Sequence, residues 1–100
     1  MTFDEYERNM SYKIEAYLNI KGKPKYADFL ATVFDIVENI RNHDGKNGEY
    51  SIPASVELLM FVHDQMYDIE NCLNDNEKYD YAQLVATWRE IAVNHIHLEL

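Results

Sequence analysis

Between Pro53 and Asp75 the chain carries five carboxylates and no lysine or arginine. Glu57, Asp64, Asp68 and Asp75 recur at spacings of 7, 4 and 7 residues, which on an α-helix places them in one narrow row. Asn71 falls beside that row, and Met60, Phe61, Tyr67 and Cys72 flank it. Two kinds of chemistry are open to such residues. One is acid–base catalysis by a pair such as Asp64 and Asp68, which requires an apolar cleft that desolvates one carboxyl and holds its proton. No such cleft is signalled, so the pair is expected to be solvated and mildly repulsive. The other is recognition of a basic surface, which needs only an exposed row of charge with large apolar groups alongside.

Other reactive side chains are poorly placed. His95 and His97 point to different faces of a helix, and His43 and His63 lie far off in sequence, so no metal site is expected. The stretch His43-Asp44-Gly45-Lys46-Asn47-Gly48-Glu49 has the flavour of a calcium loop, but its register fails. With Gly48 at the invariant glycine, His43 would be the first ligand and Ala54 would stand where a bidentate glutamate belongs. Cys72 has Glu70 and Asp75 as sequence neighbours, which disfavour a thiolate, and no histidine at helical spacing. No catalytic residue and no cofactor site are assigned. The one basic cluster, Lys21, Lys23 and Lys25, reads as a solvated turn and is too small for direct nucleic-acid binding by a chain of net charge −9.

The balance of 18 acidic and 9 basic residues repels nucleic acid and anionic lipid and attracts cationic proteins. A single cysteine fits a reducing compartment, and neither a leader nor a membrane span is apparent, so a cytoplasmic location is expected. Eight tyrosines in 100 residues are many. Tyr6, Tyr17, Tyr26 and Tyr81 fit core faces, whereas Tyr12, Tyr67, Tyr50 and Tyr79 fall on polar ones. An exposed ring among acids adds contact area at little entropic cost.

These residues must be held by helices. With only 3 Gly and 2 Pro the chain lacks the punctuation of a multi-turn β fold. Hydrophobic periodicity predicts four helices, at about 2–20, 24–42, 53–75 and 77–98, in a single domain spanning residues 1–100. The expected fold is all-α, an antiparallel four-helix bundle or an irregular small helical domain. Thr2-x-x-Glu5 reads as a capping box with a Met1–Tyr6 staple, Pro24 and Pro53 as first-turn prolines, and Asp80-x-x-Gln83 as a second cap box. The predicted core faces are Phe3, Tyr6, Met10, Ile14, Tyr17 and Leu18; Tyr26, Phe29, Leu30, Val33, Val37 and Ile40, widened by Phe34 and Ile36; Leu58, Val62, Met66, Ile69 and Leu73; and Leu84, Trp88, Ile91, His95 and Leu98, helped by Tyr81, Val85 and Ala92. Val37, Val62, Ile69, Trp88 and Ile91 are expected at the centre. The segment from His43 to Ile52, with turn signals at Asp44-Gly45 and Asn47-Gly48, is expected to be a loop.

The expected function is non-enzymatic binding of a cationic protein, with Glu57, Asp64, Asp68, Asn71 and Asp75 as the contact and Phe61 and Tyr67 as apolar anchors. Small acidic phage-encoded anti-defence proteins, anti-CRISPRs and nucleic-acid mimics among them, are similar in size, charge and helicity, although no motif of such a family is present. A toxin-immunity protein would use the same physics. The alternative is a self-associating structural or regulatory bundle with a homodimer seam at Met60, Phe61 and Tyr67.

Overall fold

The computed structural model describes residues 3–43 and 52–98. Four helices dominate: α1 (Phe3–Ile20), α2 (Pro24–His43), α3 (Val56–Asp75) and α4 (Tyr79–Asn94). Two short strands, β1 (Ile52–Ala54) and β2 (Ile96–Leu98), pair in parallel with Ile52 opposite Ile96. The Thr2 capping box, the Met1 staple, the Phe3 side chain and the turns between His43 and Ile52 lie outside the described residues.

The helices form two antiparallel hairpins, α1–α2 and α3–α4, joined mainly by packing of α4 on α2. One core runs through all four helices: Ile14 and Leu18; Leu30, Val33, Phe34 and Val37; Met66, Ile69 and Leu73; Val85, Trp88 and Ala92. Phe34 meets the Trp88 indole edge-on, with ring centres 4.8 Å apart.

Both hairpins turn in the same way. Lys23 N–H donates to Leu18 O and Gly22 N–H to Asn19 O; Lys78 N–H donates to Leu73 O and Glu77 N–H to Asn74 O. This is the Schellman pattern, which requires a left-handed residue after the helix. Gly22 takes that role at φ 77° and Glu77 at φ 61°. Asn76 reinforces the second turn, its Nδ2 donating to Cys72 O at 2.7 Å.

Several expected boundaries and faces are corrected. Pro53 does not open α3; it lies in β1, and Ser55 caps the helix by accepting from Leu58 N at 3.2 Å. Pro53 is tolerated there because Ile52 N–H already points at the partner strand, bonded to His95 O, so the next amide position points away. α4 begins at Tyr79 without the Asp80 cap box and stops at Asn94, because Ile96–Leu98 leave the helix to pair with β1. On α1 the buried row is Glu7, Ser11, Ile14 and Leu18, whereas Tyr6 is 46% exposed. Leu58 is 47% exposed, and Val62 and Ile91 sit at the margin of the core instead of its centre.

Candidate functional site

The position of the acidic row follows from how α3 is buried. Met66, Ile69 and Leu73 are fully enclosed and fix one side of the helix against the core. At about 100° per residue, Glu57, Asp64, Asp68 and Asp75 then project on the opposite side. All four are exposed, as is Asn71. Phe61 and Tyr67, at 54% and 50% exposure, stand on opposite flanks of the row. The structure therefore brings the seven predicted contact residues onto one outward face of α3, and no residue of that helix is lysine or arginine.

The flanking rings are braced from behind. Phe61 meets Phe29 of α2 edge-on at 5.6 Å, and Tyr67 lies parallel to the His63 ring at 6.2 Å with the Arg89 guanidinium 5.8 Å from its centre. His63 Nδ1 is 3.2 Å from Asp64 Oδ1. Holding the rings in place lowers the entropic cost of using them as contacts.

The arginines are committed to glutamates of neighbouring helices, not to the carboxylates of the acidic row. The chain has three arginines, and each joins two helices through a glutamate. Arg8 on α1 grips Glu38 on α2 with two nitrogens, Nε at 3.1 Å from Oε2 and a second contact to Oε1. Arg41 on α2 pairs with Glu7 on α1. Arg89 on α4 donates from Nε to Glu70 Oε2 at 2.6 Å and from its terminal nitrogen to Oε1 at 3.5 Å. Glu70, the fifth acid of α3, is thereby turned inward and is largely buried.

Glu7 is the residue that sequence reasoning missed. It is 1% exposed and receives the Trp88 indole Nε1–H at 3.3 Å as well as the Arg41 guanidinium. A cavity of about 30 Å³, lined by Glu7, Phe34, Glu38, Arg41 and Asn42, adjoins the pair. The available signal was the row Glu7, Ser11, Ile14, Leu18 at spacings of 4, 3 and 4, together with a single tryptophan whose buried N–H would need an acceptor.

Four of the described lysines, Lys21, Lys23, Lys25 and Lys78, lie at the turns or beside them, and Lys13 lies within α1. Lys21 and Lys78 both lie over the Tyr17 ring, at 5.7 and 5.2 Å, and Lys23 lies over Tyr26 at 5.9 Å. Lys78 shares its turn with Asp75, Glu77 and Asp80, so these lysines leave the middle of the acidic α3 face uncovered.

His95 and His97 both fall beyond α4. His95 Nδ1 donates to Ile91 O at 2.8 Å, and His97 is exposed in β2. Among the described residues no group of three or more His, Cys, Asp or Glu side chains converges to hold a metal ion, and no helix is long and apolar enough to cross a membrane. No family model, no curated protein and no solved structure matches the chain.

Proposed function

We propose that this protein is a non-enzymatic acidic binding module that docks the outward face of α3 on a cationic, nucleic-acid-binding or nuclease partner and thereby inhibits it. The carboxylates of Glu57, Asp64, Asp68 and Asp75 would take the places of phosphates, as in a nucleic-acid mimic, an anti-CRISPR-like anti-defence protein or a toxin-immunity protein. The observation that carries this reading is the disposition of charge: four exposed carboxylates stand on one face without a cation on their helix, while every arginine is committed to an interhelix pair. Complementary charge of this kind accelerates encounter and fixes register, with Phe61 and Tyr67 supplying apolar contact.

The test is capture with two baits, the wild type and the Asp64→Lys/Asp68→Lys protein, each challenged with duplex DNA. A protein that binds nucleic acid, is retained by the wild type, lost from the double variant and displaced by DNA supports the reading. A partner retained equally by both baits contradicts it.

A second reading, a self-associating structural or regulatory bundle without an inhibitory role, draws on the exposure of Met60, Phe61 and Tyr67. A tight dimer that survives dilution and hides Phe61 would favour it over the first.

A further inference from the structure

The flank of α3 that carries Phe61 borders a groove. α2 and α3 meet only at their margins, because each is packed more closely on other helices. Between them lies a space of about 180 Å³ walled by Phe29, Thr32 and Ile36 of α2 and by Leu58 and Phe61 of α3, with Ile96 of β2 also lining it. The lining is wholly apolar in its exposed surface. An apolar space of roughly 150 Å³ accommodates a guest of benzene size, so one branched aliphatic side chain fits. Carboxylates stand on both rims: Glu57, Asp64 and Asp68 at helical spacings of four, three and seven from Phe61, and Asp28 one turn before Thr32. The only lysine on either helix is Lys25, one turn before Phe29.

The same chain presents the complement of that groove elsewhere. Ile20, at the end of α1, is 82% exposed, the highest value among the large apolar side chains of the described residues. It leads directly into Lys21, Gly22, Lys23 and Lys25, all exposed. A protruding aliphatic side chain followed in sequence by exposed lysines complements an apolar slot rimmed by carboxylates.

We propose that a second copy of this chain inserts Ile20 into the α2–α3 groove, with the copy's Lys21 and Lys23 against the carboxylate rims. With one insertion between each pair of copies the contact is head-to-tail and propagates into chains or rings. It is a small contact between two anionic molecules and therefore weak. Because it covers the Phe61 flank of α3, a cationic partner would compete with it and disperse the assembly.

Sedimentation of wild type, Ile20→Glu, Phe61→Glu and an equimolar mixture of the two variants tests this, with protein up to about 1 mM. Salt of about 0.15 M screens the repulsion between whole molecules but leaves short contacts in force. Thr32→Trp, which fills the groove without emptying the core, replaces Phe61→Glu if circular dichroism shows that the latter is unfolded. The wild type is expected to gain mass with concentration beyond a dimer. Each variant is expected to stay monomeric, and the mixture to form a 1:1 dimer, since one variant keeps the groove and the other keeps Ile20. A monomeric wild type overturns the proposal, as does an assembly insensitive to Ile20→Glu or a mixture that stays monomeric. None of those failures bears on the docking of a foreign cationic partner.

Discussion

The α1–α2 hairpin and the α3–α4 hairpin close through the same backbone turn yet treat charge in opposite ways. In the first, Glu7 and Glu38 turn to Arg41 and Arg8, and the start of α1 is joined to the end of α2 by two guanidinium pairs. In the second, only Glu70 is joined in this way, to Arg89, and the other four acids of α3 are left facing solvent. Glu7 and Glu38 therefore belong to the fold, whereas Asp28 and Asp35 of the same hairpin face solvent. The carboxylates on the outer side of α3 are joined to no arginine: Glu57 favours the first turn of the helix, while the like charges of Asp64 and Asp68, four residues apart, slightly oppose it. A feature that folding does not need is the natural place to look for a binding role.

That contrast predicts a graded set of stability effects. Truncating the shared core should cost most: Trp88→Ala or Ile69→Ala, both fully enclosed, is expected to lose about 2–5 kcal/mol in denaturant unfolding. Trp88 fluorescence should also shift to the red as the wild type unfolds. Glu7→Ala comes next. It removes an acceptor from both Arg41 and the Trp88 indole, at a cost of about 3 kcal/mol. A loss under about 1 kcal/mol would show that Glu7 is not structural.

The two turns give a smaller, signed effect. Gly22→Ala places a β-carbon on a left-handed residue and is expected to destabilise by about 1 kcal/mol, whereas Glu77→Gly relieves the same strain and is expected to stabilise by a similar amount. Equal signs for the two changes would mean that the turns are not equivalent.

The smallest effect belongs to the acidic face. Asp64→Lys/Asp68→Lys should change stability by no more than about 0.5 kcal/mol.

Much of this was readable from spacing alone. The four helices, the Lys21–Lys23 break and the outward row on α3 follow from periodicity, because a helix with Met66, Ile69 and Leu73 on one side must present Asp64 and Asp68 on the other. What periodicity could not show was paired polarity. A rule that sends glutamate outward misplaced the α1 core by rotating it toward Tyr6, since only the tertiary partners Arg41 and Trp88 make a buried Glu7 affordable. Long-range strand pairing was likewise invisible: Ile96–Leu98 continue a helical pattern until β1 competes for their backbone groups. The groove is legible only in three dimensions, because it depends on α2 and α3 diverging.

The most direct measurement is the rate of association between this protein and the cationic partner recovered by capture, followed across about 0.05–0.5 M salt for the wild type and for Asp64→Lys/Asp68→Lys. A docking α3 face predicts fast wild-type association that falls steeply with salt, and a double variant that associates more slowly at low salt with most of that dependence gone. Equal rates and equal salt slopes for the two proteins would show that the α3 row is an ordinary solvated surface.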